Sequence, residues 1–194
     1  MCEMCDEIHR CLIDLLRNRQ DVVSIAYRYR AKFEGWLKFE IAGALAKTRD
    51  PSSVVPEAQY VDGGNCDVFI KSGRTGYYVE LKTCNTNWKV RDAEPRHRPI
   101  KMNRLGVIDD IWKLRTKCGD YHGIACFVFF PVPNNLWQHV ERGLDKHLNG
   151  IESDASLAPG LLRKSGEFVP VGQYGGIAAF VIHATARNID PSEH

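Results

Sequence analysis

Long apolar runs are missing from this sequence of 194 residues. No stretch approaches the roughly 20 consecutive apolar residues that a helix needs to span a bilayer, and the opening MCEMCDEIHR lacks the apolar core of a signal peptide. A strong net charge is also missing, since 26 basic residues nearly balance 24 acidic ones. We therefore expect a cytoplasmic protein in which binding to a polyanion would depend on a local basic patch.

Several catalytic motifs are absent as well. The sequence has no glycine-rich phosphate loop ending in Lys-Ser or Lys-Thr, no G-x-G-x-x-G after a strand, no G-x-S-x-G and no H-E-x-x-H. The seven cysteines are odd in number and scattered, which favours reduced thiols over a disulfide framework. Zinc binding near the start of the chain is an open alternative. Its ligands would be Cys2, Cys5, His9 and Cys11.

The composition is that of a globular protein with a core. Hydrophobic residues make up 44% of the chain and charged residues 26%. Because no repeat, low-complexity tract or long linker divides the sequence, we expect a single domain over residues 1–194. Residues 22–130 would form its core, residues 1–21 an N-terminal helix, and residues 131–194 additional helix and strands.

Hydrophobic periodicity predicts helices and strands in alternation. The predicted helices cover residues 6–16, 22–47, 103–117 and 136–148. The predicted strands cover residues 57–61, 66–70, 77–83, 123–133, 167–171 and 177–183. The order α, β, β, β, α, β, followed by further elements, indicates an α/β protein with a mixed sheet flanked by helices.

Two acidic residues are predicted to face each other across a hairpin. Side chains alternate between the faces of a strand, so Glu80 and Lys82 share one face. Pairing Ile70 with Tyr77 across the intervening turn sets a register in which Asp67 lies directly opposite Glu80. Facing like charges need a compensating cation or a raised pKa on one acid, and as the cation carboxylate oxygens favour Mg²⁺ or Mn²⁺. Lys82 would stabilise transition-state charge or help to orient and deprotonate the attacking water.

The helix before the hairpin supplies a third acid. Its apolar stripe at helical spacing consists of Phe33, Leu37, Ile41, Ala44 and Thr48. Glu40 falls within this stripe, so we expect its carboxylate to face the sheet. Glu34 lies on the flank of the stripe and is the alternative. A solvated face with weak ion pairs is the other interpretation of the whole charged cluster.

This pattern resembles the PD-(D/E)xK nuclease superfamily, which has the restriction-endonuclease-like αβββαβ core. An inward acid on a helix, then Asp67, twelve intervening residues and Glu80-Leu81-Lys82 carry the resemblance. It covers about residues 22–130 and implies Mg²⁺-dependent hydrolysis of phosphodiester bonds. Asp67, Glu80 and Glu40 would be the metal ligands, and together with Lys82 they are the predicted catalytic residues.

The sequence departs from the superfamily motif at one position. Cys66 precedes Asp67, where the motif has proline. Asp62 is a rival for the first acid, but it belongs to a predicted turn and would not lie opposite Glu80.

A basic segment follows the Glu-Leu-Lys strand and is predicted to bind nucleic acid. Its candidate contact residues are Trp88, Lys89, Arg91, Arg96, Arg98, Lys101 and Arg104. The basic side chains would contact phosphates, while Trp88 would stack on a base or pack on a sugar. A solvated loop with an ordinary charge mix is the alternative. Arg28, Arg30 and Lys32 are interpreted as a solvated helix face.

The sequence thus predicts a Mg²⁺-dependent or Mn²⁺-dependent endonuclease of restriction or repair type that acts on double-stranded DNA. A two-fold homodimer is expected, because duplex cleavage requires two strand cuts. RNA and branched or damaged DNA are alternative substrates. The alternative from another class is a catalytically silent nucleic-acid-binding or protein-interaction domain on the same fold.

Overall fold

A computed structural model describes residues 3–95, 100–152 and 162–184 of the chain. The helices are α1 (Glu3–Asn18), α2 (Gln20–Tyr29), α3 (Glu34–Thr48), α4 (Ile100–Lys117) and α5 (Trp137–Glu152), with a 3₁₀ turn at Pro51–Ser53. The strands are β1 (Val54–Pro56), β2 (Val68–Ser72), β3 (Thr75–Asn85), β4 (His122–Pro133), β5 (Leu162–Pro170) and β6 (Gly175–Ala184).

The six strands form one mixed sheet in the order β1-β2-β3-β4-β6-β5. Strands β3 and β4 pair in parallel, and the other neighbouring pairs are antiparallel. Helix α4 connects the two parallel strands, as expected because parallel neighbours need a long crossover connection. The predicted α/β class with a mixed sheet is confirmed.

Helices cover both faces of the sheet. Helices α1, α2 and α3 pack on one face, in a core that includes Ile8, Leu12, Val23, Leu37 and Ile41. Helices α4 and α5 pack on the other face, in a core that includes Val107, Ile111, Leu114, Val140 and Leu144. Strand β4 lies between the two cores and is buried on both faces, as its apolar run predicts. Among the described residues, no helix has both the length and the apolar character needed to cross a membrane.

The single helix predicted over residues 22–47 is two helices. Helix α2 ends at Tyr29, and α3 begins at Glu34. Arg30 caps α2 with left-handed backbone (φ 50°), which terminates the helical hydrogen-bond ladder. The apolar periodicity continues across this break because both helices bury a stripe against the same face of the sheet.

Arg30 is fully buried, so its interpretation as part of a solvated face is wrong. Its guanidinium donates hydrogen bonds to the carbonyl oxygens of Thr86, Trp88 (2.7 Å) and Glu94. Arg28 of the same helix is exposed, as expected. Arg30 therefore ties the end of α2 to the segment that follows β3.

The strand predicted over residues 57–61 is also wrong. Strand β1 is shorter and ends at Pro56, because Glu57 adopts left-handed backbone (φ 55°). Beyond this point a single bridge joins Gln59 to Asn65. The chain between β1 and β2 is therefore mainly a loop.

Candidate active site

The β2–β3 hairpin brings Asp67 and Glu80 together. Its register pairs Ile70 with Tyr77, which confirms the predicted alignment. Asp67 directly precedes β2, so the same register continued to that position places it opposite Glu80. The rival acid Asp62 is exposed in a turn of the preceding loop.

Two carboxylates accept hydrogen bonds from backbone amides of β3 where that strand runs beyond β2. Asp67 Oδ2 accepts from the Leu81 amide at 2.8 Å, and Glu34 Oε2 accepts from the Thr83 amide at 2.9 Å. Lys38, one turn after Glu34 on α3, places its Nζ 3.6 Å from Asp67 Oδ1. The edge of β3 thereby holds acids from both the hairpin and α3.

Glu80 lies within a shell of donors and is only 7% exposed. Tyr60 and Lys113 both donate to its Oε1. Burial raises the pKa of Glu80 and outweighs these two partners, and the charge of Asp67 raises it further. A cation placed between the two carboxylates would relieve both effects.

Lys82 is held by an acid that the sequence does not single out. Its Nζ lies 2.5 Å from Oδ2 of Asp110 on α4. Burial lowers the pKa of Lys82, but the hydrogen bond and charge of Asp110 outweigh it, so the pKa is raised overall. Lys82 is therefore protonated at neutral pH. A side chain at Gly106 would bring its Cβ within 3.1 Å of Lys82 Cε, so this glycine leaves room for the lysine.

Helix α4 presents a polar stripe along β3. At spacings of three or four residues it comprises Asn103, Gly106, Asp110, Lys113 and Lys117. Asn103 donates to the Asn85 carbonyl at the end of β3. Nearer the middle of β3, Asp110 contacts Lys82 and Lys113 contacts Glu80. A helical projection of α4 would have revealed this stripe beside the apolar one, but not its partners.

Glu40 does not join the cluster. Its carboxylate pairs with Arg19 Nη1 at 2.7 Å and lines a cavity of about 410 Å³ between α1 and α3. The buried stripe of α3 includes Leu37, Ile41 and Leu45, whereas Ala44 and Thr48 are not buried. The stripe is therefore turned away from Glu40 and towards Glu34. The expectation that Glu40 faces the sheet is corrected, and Glu34 is the α3 acid at the cluster.

The basic segment follows the end of β3. Lys89 and Arg91 are exposed, and the Arg91 guanidinium lies over the Tyr174 ring, with the centroid 5.3 Å from Cζ. Trp88 packs on the α4–α5 core, with its ring edge-on to His139 at 6.0 Å, so it is not a freely exposed stacking platform. Of the other predicted contact residues, Lys101 and Arg104 belong to α4, while Arg96 and Arg98 lie outside the described residues.

The described residues offer few ligands for the metal ion that the sequence predicts. In the described ranges, no group of three or more His, Cys, Asp or Glu side chains is arranged to hold a metal ion. Cys5 is buried in the core that α1, α2 and α3 form on the sheet, and Cys2 lies outside the described residues, so nothing described supports the N-terminal zinc alternative. Mg²⁺, however, commonly takes one or two carboxylates plus waters and substrate oxygens. Asp67 and Glu80 fit that smaller requirement by donor chemistry.

Comparison with known proteins gave no match to a family model, a curated protein or a solved structure. Inference about function therefore starts from the cluster around Asp67, Glu80 and Lys82.

Proposed function

We propose that this protein is a metal-dependent nuclease of the PD-(D/E)xK type, acting as an endonuclease on DNA. The observation that carries the proposal is the hairpin register, which sets Asp67 opposite Glu80. Lys82 follows two residues later on the same face of β3. Paired carboxylates with an adjacent ammonium group suit the hydrolysis of a phosphodiester.

The order of the elements supports extending the proposal to the fold. Elements α3, β1, β2, β3, α4 and β4 follow one another as αβββαβ, and the four strands are adjacent in the sheet. In this proposal they form a restriction-endonuclease-like core. The remaining elements, α1, α2, α5, β5 and β6, are additions that extend the sheet and cover it.

Asp67 and Glu80 would hold Mg²⁺ or Mn²⁺, with Glu34 replacing Glu40 as the acid from the helix. When bound, the ion supplies Lewis-acid stabilisation of the phosphate and promotes ionisation of the attacking water. Lys82, kept protonated by Asp110, stabilises the negative charge that develops on the phosphate oxygens. The water oxygen would bond to phosphorus and lose its proton to solvent, while the bond to the leaving oxygen breaks and that oxygen takes up a proton from solvent.

Double-stranded DNA is the proposed substrate. Exposed Lys89 and Arg91 continue from the strand that carries the site, where they would contact backbone phosphates. The carboxylate and lysine cluster acts on the phosphodiester and does not distinguish bases or sugars. The substrate test therefore includes RNA and branched or damaged DNA. A homodimer is proposed because two sites are needed to cut both strands.

The direct test is cleavage of supercoiled plasmid and of short single- and double-stranded DNA and RNA with Mg²⁺ or Mn²⁺. We expect metal-dependent products from the wild-type protein, and a loss of about 10²-fold or more in Glu80→Ala and Lys82→Ala. Glu40→Ala is the matched control, because this acid lies on α3 outside the cluster, and it should cleave normally. Full activity in Glu80→Ala would overturn the site assignment.

One observation favours a second candidate, a catalytically silent nucleic-acid-binding domain. Glu80 and Lys82 already have opposite charges as partners, in Lys113 and Asp110, so the cluster is balanced without metal. Thermal stability separates the candidates, since a metal that binds only the folded state raises Tm. Nucleic-acid binding with neither metal-induced stabilisation nor cleavage would establish the silent domain.

A further inference from the structure

Lys113 of α4 places a cation at the proposed metal ligand Glu80. Its Nζ donates to Glu80 Oε1 and also to the Asn65 carbonyl at 2.9 Å. The same ammonium group lies 5.0 Å from the centroid of the Tyr60 ring. The Glu80 side chain is 9% exposed and that of Lys113 is 32% exposed. A cation can therefore leave the carboxylate towards solvent without unfolding the sheet.

We propose that Lys113 is an internal competitor of the metal, so that a divalent cation binds Glu80 only as the Lys113 ammonium leaves it. This inference rests on the proposed nuclease function. Two cations within contact distance of one buried carboxylate repel each other strongly. Because Tyr60 and Lys113 both donate to Oε1, the carboxylate is already neutralised and hydrogen-bonded in the absence of metal. Lys113 thus lowers the affinity for metal while it stabilises the metal-free protein.

The surroundings of Lys113 keep the displaced ammonium group at the site. The Asn65 carbonyl and the Tyr60 ring both belong to the β1–β2 loop, and neither is a carboxylate that must yield to the metal. The phosphate of a bound substrate would then offer the displaced ammonium group a counter-ion. Lys113 would consequently couple the binding of metal to the binding of substrate, since each favours its release from Glu80.

Two neighbouring lysines show why Lys113 is the competitor. Lys38 lies 3.6 Å from Asp67 Oδ1 but only 2.8 Å from Glu57, so its main partner is outside the proposed metal site. Lys117, one turn after Lys113, donates to the Gly63 carbonyl at 3.3 Å, and in the described structure its contact is to the loop backbone. Lys117 therefore offers a control that shares the helix and the loop.

The test measures Tm against the concentration of Mn²⁺ or Mg²⁺, without substrate, at mildly alkaline pH. Lys113→Gln keeps a hydrogen-bond donor and removes the charge. We expect it to lower the metal concentration for half-maximal stabilisation by about tenfold, as is typical for loss of a hydrogen bond between charged groups. Lys117→Gln should match the wild type. Circular dichroism verifies that each variant is folded.

The outcomes distinguish this inference from the proposed function. If the wild type gains Tm in a Glu80-dependent manner but Lys113→Gln needs as much metal or more, the competition is refuted and the nuclease proposal stands. If no metal stabilises either protein, both fail. Should Lys113→Gln not fold, Lys113→Arg, which keeps the charge, should remain within about threefold of the wild type. If Lys113→Arg instead lowered the metal concentration for half-maximal stabilisation tenfold, the role of the Lys113 charge would be overturned.

Discussion

At the scale of single residues, Glu80 combines burial with a charge that the proposed chemistry requires. Burial raises the pKa of Glu80 above its usual 4.5, so folding favours the protonated form. The stability gained from protonated Glu80 is fully present below the pKa that Glu80 has in the unfolded chain. It is lost as pH rises through the higher pKa that Glu80 has in the folded protein. At neutral pH the metal-free protein is therefore less stable than it would be with an uncharged side chain in place of the Glu80 carboxylate.

We predict that Glu80→Gln stabilises the metal-free protein while abolishing cleavage. The amide oxygen can still accept from Tyr60 and Lys113, and the buried carboxylate charge is gone, while the Lys113 ammonium group keeps partial access to solvent. At neutral pH the variant should exceed the wild type by about 2–4 °C in Tm, or about 1 kcal/mol for a chain of this size. Differential scanning fluorimetry from acidic to neutral pH, without metal, gives the measurement.

The pH dependence supplies the check on this prediction. The difference in Tm between Glu80→Gln and wild type should vanish at acidic pH and grow as pH rises. Asp109→Asn removes one acid from the exposed side of α4 and serves as the control, since it should show no such growing difference. A Glu80→Gln variant less stable than wild type at neutral pH would mean that the Lys113 ion pair outweighs burial.

At the scale of elements, the connection after β3 depends on α2. Arg30 donates to three carbonyl groups of that segment, and Tyr27 Oη donates to Asp92 Oδ1 at 2.7 Å. The start of the basic segment is therefore held by the side chains of Arg30 and Tyr27, which lie 56 or more residues earlier in the chain. The course of the chain after β3 follows from this anchoring.

We predict that Arg30→Lys destabilises the protein by about 2–4 kcal/mol, because one ammonium group cannot reach three carbonyls that a guanidinium fork satisfies. Denaturant unfolding measures the loss. Hydrogen exchange should also become faster at the amides of residues 86–94. Arg28→Lys, on the exposed side of α2, should change neither quantity, and equal effects of the two substitutions would contradict the anchoring role.

The element scale also explains which site residues could be predicted. The Asp67–Glu80 register follows from alternation and a tight turn within one hairpin, so local sequence contains the information. Asp110 and Lys113 could not be identified in the same way. They reach β3 because α4 packs along that strand. Their partners, Lys82 and Glu80, lie 28 and 33 residues earlier in the chain, and the local sequence pattern of α4 does not indicate them.

At the scale of the whole molecule, the N-terminal helix belongs to the packing of the main sheet. Leu12 of α1 is fully buried in the core that α3 shares with the sheet, and α1 also contacts β5 and β6. The sequence predicts residues 1–21 as an addition to the core, and in the structure helix α1 covers the part of the sheet formed by β5 and β6.

We predict that Leu12→Ala lowers the free energy of unfolding by about 2–5 kcal/mol. Because one sheet joins all six strands, unfolding should remain a single cooperative transition, seen alike by tryptophan fluorescence and circular dichroism. Leu105→Ala, on the exposed side of α4, should change stability by no more than about 0.5 kcal/mol. A separate early transition in Leu12→Ala would instead indicate that α1 unfolds independently.

The sequence by itself determined what short-range geometry controls: the alternation of elements, the hairpin register and the strand that bears Glu80 and Lys82. Only the tertiary structure decided which helix acid reaches the sheet. The sequence pattern places Glu40 within the predicted apolar stripe and Glu34 on its flank, and the choice between them depends on whether Leu45 or Ala44 is buried. It also decided that Arg30 is buried and that Lys113 pairs with Glu80. These contacts join distant segments, and their energies depend on burial that exists only once the helices have packed on the sheet.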